Sequence, residues 1–243
     1  QFEDQPLVEV EIRFIIGKTY MSLGKYDEAE EHYAEALETQ RRVLGNEHPD
    51  TLDLINDMGL LLSEQGKLDE AEVYYTEALE AKRRVLGNEH PSTLASIGNM
   101  GALLLDQGMY DEAEVYYTEA LETNRRVQGD DHPDTLISIN NMGVLLKRQG
   151  KYDEAEVYYT EALEGRRRVL GDEHPSTLIS INNMGVLLKR QGKYEEAMPY
   201  YMAALETQRR VLGNEHPDTL NSIGNMGALL LDQGMYDEAQ VYY

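Results

Sequence analysis

The chain has 243 residues, with 45 acidic against 22 basic, a net charge of −23 with His neutral, and neither Cys nor Trp. That balance excludes nucleic-acid or anionic-membrane binding through bulk charge, because phosphate contact needs local cationic density. The missing Cys excludes a disulfide framework, a thiolate metal site and a Cys nucleophile. No apolar run reaches the ~18 residues of a membrane-spanning helix.

A 42-residue period organises the chain: His-Pro recurs at His48, His90, His132, His174 and His216, and Gly recurs with the same step from Gly24 to Gly234. This gives one repeat array over 1–243, with units at 7–48, 49–90, 91–132, 133–174 and 175–216 and a partial unit at 217–243. Repeats of this length signal stacked supersecondary units. The sequence begins on Gln and stops inside a predicted helix, which reads as a piece of a longer protein.

The first unit is irregular at Arg13, Phe14 and Ile15, where later units carry Ile, Asn or Gly, and Asp or Asn in turn, and it has His32 in place of a Tyr, expected at the surface. In the second unit Pro49 opens a helix, where its missing N–H is harmless. Leu52, Ile55, Met58, Leu61 and Leu62 recur at helical spacing, and Gly66 ends the helix. A second helix follows, acidic at Asp69, Glu70 and Glu72 and basic at Lys82, Arg83 and Arg84, which complements its dipole. Its buried stripe is expected to be Ala71, Tyr75, Ala78, Leu79 and Val85.

The interior glycines Gly59, Gly101, Gly143, Gly185 and Gly227 predict close approach of the first helix to the second. Each costs ~1 kcal/mol against Ala in a helix. Ala71 and its equivalents are expected to supply the facing small surface. Unit three carries small residues at Ala95, Gly98 and Ala102. Units four and five are nearly identical from His132 to Ala155 and from His174 to Ala197, and together carry a charge of only −1. Pro199 is expected to bend or weaken the start of its helix.

The pattern Gly59, Gly66, Ala71, Tyr75 and Ala78 resembles the tetratricopeptide repeat. The longer unit, read from Arg83-Arg84-Val85-Leu86-Gly87-Asn88-Glu89-His90, resembles the kinesin light chain type. Similar repeats also follow NTPase modules in large signalling proteins. The resemblance implies an all-α fold, a right-handed superhelical solenoid of stacked antiparallel helix pairs, with first helices lining a concave face. It implies a non-catalytic scaffold that holds an extended peptide or partner helix in that groove. The alternative is a structural or self-associating segment of a larger, NTPase-containing signalling protein.

On the groove side the candidate binding residues are Asn56, Asn99, Asn140, Asn141, Val144, Lys147 and Arg148, with Asn182, Asn183, Val186, Lys189, Arg190 and Asn225 continuing the face. An Asn side chain can pair both the N–H and the C=O of an extended peptide. The four cations favour an acidic protein or peptide ligand. Ile137 and Ile179 stand where the carboxylate-clamp subtype needs cations.

One His per repeat cannot assemble a tetrahedral metal site, and Asp130, Asp131 and Asp134 lack the Gly and terminal Glu of a calcium loop. No Walker loop, G-x-S-x-G elbow or H-E-x-x-H motif occurs. The expectation is therefore no catalytic residue, no metal and no cofactor. A cytoplasmic location, no nucleic-acid or membrane partner, and end-to-end self-association of the array complete the reading.

Overall fold

The computed structural model describes residues 5–242. The described residues form helices in pairs and contain no strand. They belong to two compact units, residues 1–123 and 124–243.

In the first unit, α1 (Pro6–Ser22) pairs with α2 (Tyr26–Leu44) and α3 (Pro49–Glu64) with α4 (Leu68–Val85); α5 (Pro91–Asp106) precedes α6 (Tyr110–Gln128), whose last turn lies in the second unit. In the second unit, α7 (Pro133–Arg148) pairs with α8 (Tyr152–Leu170) and α9 (Pro175–Arg190) with α10 (Tyr194–Leu212). There α11 (Pro217–Asp232) leads into α12 (Tyr236–Ala239) and a closing 3₁₀ turn at Gln240–Tyr242. Within each unit, second helices pack on the first helix that follows, as α2 does on α3 and α8 on α9.

From α3 onward the His-Pro step starts each first helix through a cap. His48 Nδ1 accepts from the Asp50 N–H at 3.3 Å, and His90, His132, His174 and His216 repeat the bond at 3.1–3.2 Å. The imidazole thus takes the part usually given to Ser or Asp at this position. At the other end Gly66 takes φ +77°, and Lys67 N–H bonds the Leu62 carbonyl at 2.9 Å while Gly66 N–H bonds Ser63. This is the paired bonding of a left-handed glycine cap.

The interior glycines do mark close approach, but their partner is an aromatic ring. A Cβ at Gly59, Gly101 or Gly143 would lie 2.8, 2.7 or 2.6 Å from the ring of Tyr75, Tyr117 or Tyr159. The Ala residues expected there, Ala71, Ala113 and Ala155, are fully buried, yet the flat face of Tyr is what covers the glycine. In the consecutive tyrosines Tyr74-Tyr75, Tyr116-Tyr117, Tyr158-Tyr159 and Tyr200-Tyr201 the second member is buried and the first is half-buried. Burial pushes the Tyr201 hydroxyl up to about 12 and raises Tyr33, Tyr75, Tyr117 and Tyr159 as well.

Two local expectations change. Val85 is exposed, as are its repeat equivalents Val43, Val127, Val169 and Val211. His32 is half-buried and stacks on Tyr20 with ring centroids 5.5 Å apart. Helix α10 runs through Pro199 and is 19 residues long, as α8 is.

Candidate functional site

The candidate residues lie on the first helices, but the amides are not all presented alike. In residues 1–123, Asn56 is buried and its Oδ1 accepts from Ser96 Oγ at 3.0 Å and from Asn99 Nδ2 at 3.1 Å. Ser96 Oγ also receives Lys82 Nζ at 3.0 Å, and that ammonium pairs with Asp53 at 2.7 Å. The Asn56–Asn99 pair therefore clamps one repeat to the next.

In residues 124–243, Asn140 is buried likewise, and its Oδ1 accepts from Asn183 Nδ2 at 3.0 Å. Asn182 Nδ2 reaches Ser222 Oγ at 3.3 Å, leaving its own buried Oδ1 without a partner. Asn141 is half-buried; Val144 and Val186 are half-buried against the core around Leu146, Tyr159, Met184 and Tyr201.

The cations are partly engaged. Lys147 Nζ lies 5.8 Å from the Tyr159 ring centroid. Burial, and then the charges of Arg148 and Arg190, hold its pKa below the usual lysine range. Lys189 pairs with Asp232 at 3.1 Å, while Arg148 and Arg190 are exposed.

Four of the candidates come together. Asn182, Asn183, Val186 and Asn225 line a cleft of about 390 Å³ between α9, α10 and α11, with Ile179, Gln208, Asp218 and Asn221 among the other walls. Gln208 is 4% exposed, and its Oε1 has no partner. Gly224 adds open space, since a Cβ there would touch nothing within 4 Å, and the same is true of Gly98 in residues 1–123.

Gln208 belongs to a column of second-helix residues whose role the helical pattern did not show: Gln40, Lys82, Asn124, Arg166 and Gln208, all buried. Arg166 donates to Ser180 Oγ at 2.7 Å and to the Ser176 carbonyl at 3.0 Å. Asn124 donates to Ser138 Oγ at 2.9 Å and accepts from Gln128 at 2.8 Å. A polar residue recurring every 42 positions, paired with a recurring Ser, was the available signal. Among the described residues no three His, Asp or Glu side chains form a metal-ligating group, and no helix is long and apolar enough to cross a membrane.

A family model described as tetratricopeptide repeat matches residues 12–84, 54–123, 92–168, 138–206 and 178–243. A solved structure of a Podosopora anserina putative kinesin light chain with nearly identical TPR-like repeats is 21% identical. It has a TM-score of 0.65 and covers 85% of this chain and 97% of that one. NprR in complex with its cognate peptide NprX is 18% identical with a TM-score of 0.66, covering 97% of this chain and 65% of that one. A nucleotide-binding leucine-rich repeat (NLR)-like protein of Hyaloscypha variabilis is 51% identical over 41 residues, which are 17% of this chain and 4% of that protein.

Proposed function

The chain belongs to the tetratricopeptide repeat family, and from that premise we propose that it is a non-catalytic, cytoplasmic interaction scaffold, one array over residues 1–243, whose first-helix face holds an extended peptide of a partner protein. The observation that carries this reading is the cleft at Asn182, Asn183, Val186 and Asn225, where Asn182 Oδ1 and Gln208 Oε1 are buried without partners. Such acceptors cost about 1–3 kcal/mol each while unmet, and a peptide main chain offers N–H groups at regular spacing. The complex of NprR with its cognate peptide supports the choice of ligand class.

An acidic residue in that peptide suits the neighbouring strip. Burial first, and then the charges of Arg148 and Arg190, depress Lys147, so an anion placed there relieves repulsion among like charges. Phage-displayed random peptides selected on the full chain test the proposal. The selected sequences are expected to carry acidic residues and to lose about tenfold in affinity on Asn182→Ala with Asn225→Ala. Selected peptides that bind the double variant unchanged, or a library that yields no binder, would sink it.

A second reading has its own observation. Leu220 on α11 is 53% exposed, whereas the equivalent Leu52, Leu94, Leu136 and Leu178 are at most 3% exposed. This apolar face suits another repeat of the same kind, in a larger signalling protein or from a second copy stacking end to end. Sedimentation across a hundredfold concentration range, with Leu220→Lys as control, separates a strict monomer from a stacking array.

A further inference from the structure

The cleft at Gln208 has a counterpart inside residues 1–123. Leu7, Val10, Glu11, Phe14, Gln40, Leu44, Asp50, Asp53 and Asp57 line a cleft of about 270 Å³ between α1, α2 and α3. Each of these positions lies 168 residues before one that lines the other cleft. Both clefts sit where the second-helix column holds Gln. Lys82, Asn124 and Arg166 instead reach their Ser partners and occupy this space.

The chemistry differs at Gln40. The Ser that would meet the column residue is Leu54 here, and Gln40, only 7% exposed, has an Oε1 without a partner. Across the cleft stands Asp57, the position occupied by Asn99, Asn141, Asn183 and Asn225 in the other repeats. No cation among the described residues lies within ion-pair distance of it. Asp53 is already paired with Lys82, while Glu11 and Asp50 add negative charge at the rim. Lys18 Nζ, 5.2 Å from the Phe14 ring centroid, shows that this edge accommodates a cation.

We propose that the cleft at Gln40 and Asp57 is a recognition pocket for the side chain of an arginine from a partner protein. A planar guanidinium meets the Asp57 carboxylate with two parallel N–H bonds and keeps a further N–H for Gln40 Oε1. Its methylene stem lies on Leu7, Val10 and Leu54, with Phe14, stacked on Tyr33, in the adjoining wall. Lysine fits less well, because one compact ammonium cannot span both acceptors in a plane. The pocket stands independently of the peptide reading for residues 124–243.

The test titrates the blocked peptide Ala-Ala-Arg-Ala-Ala, and the same peptide with neutral citrulline, into the full chain while following the side-chain signals of Gln40 and Phe14 by NMR. Saturable shifts with arginine are expected, with citrulline at least about tenfold weaker. Asp57→Asn, which installs the residue of the other repeats, is expected to weaken arginine about tenfold. Gln40→Lys with Leu54→Ser, copying the Lys82 and Ser96 arrangement, should abolish binding by filling the cleft. The proposal is overturned by equal binding of the two peptides, by undiminished binding to Asp57→Asn, or by shifts at Gln208 in place of Gln40.

Discussion

The clefts at Gln40 and at Gln208 are built on the same positions of the repeat and differ in almost every side chain that gives them chemistry. Phe14, Glu11, Asp53 and Asp57 line one; Asn182, Ile179, Asn221 and Asn225 hold the equivalent places in the other. The backbone is the same in both, so the repeat fold supplies a place and the lining supplies the selectivity. The difference also shows what keeps the intervening interfaces shut: Lys82 and Arg166 fill the site and satisfy their hydrogen bonds against Ser96 and Ser180. A buried polar group that is fully bonded seals an interface, whereas a Gln left with a free acceptor leaves it open.

The most damaging way to break the comparison is to disturb the scaffold the clefts share. Gly17→Ala would put a Cβ 2.5 Å from the Tyr33 ring beside the first cleft, and Gly185→Ala one 2.9 Å from Tyr201 beside the second. Overpacking of this kind costs roughly 1–3 kcal/mol. Urea unfolding should show the larger loss for Gly17→Ala, since its ring has further to move.

Next come the amide clamps. Asn183→Ala removes the Asn183 donor from the buried Asn140 Oδ1, whereas Asn99→Ala leaves Asn56 Oδ1 with Ser96. The first is expected to lower stability by roughly 2 kcal/mol and the second by about half as much. Equal urea midpoints for the two variants would contradict the bonding described.

A subtler contrast lies in charge. Burial, with Asp53 adding to it, pushes the Asp57 carboxyl up from 3.8 to about 6, against the opposing pull of Lys18 and Lys82. Between those values the folded chain holds a proton that the unfolded chain has released. The contribution of this group to stability therefore falls as pH rises through the window, and the full penalty is present above it. Asp57→Asn should accordingly raise the thermal midpoint at pH 7, by roughly 1–2 kcal/mol of stability, and give no gain below pH 4. The variant expected to lose arginine is thus the one expected to gain stability, which separates binding from folding.

The smallest effect should not distinguish the regions at all. His48→Ala before α3 and His174→Ala before α9 each remove one cap acceptor, at 3.3 and 3.1 Å. Each should cost about 1 kcal/mol in thermal unfolding. A loss confined to one of them would show that the two caps carry different loads.

Much of the fold was legible in advance. The His-Pro step, the Gly at each turn and the apolar stripes placed the helices to within a residue or two, because caps and helical periodicity are local. The candidate face was less legible. Asn140 and Asn183 both read as groove-side binding residues, yet Asn140 is buried as an acceptor and Asn183 stands over it as a donor. Residues 43 apart meet only after neighbouring repeats stack, so spacing along one helix could not show the bond. The column from Gln40 to Gln208 escaped for the same reason.

What the sequence by itself determined is the repeat: its period, its helix pairs, its glycine turns and its acidic balance, all set by local geometry and composition. What only the tertiary structure decided is which polar groups are spent inside and which remain to offer. Gln40 and Lys82 occupy the same place in their helices; beside Leu54 the Gln acceptor stays unmet, and beside Ser96 the Lys ammonium is taken into a bond. Hydrogen-bond satisfaction is a property of pairs brought together by packing, and no single helix contains it.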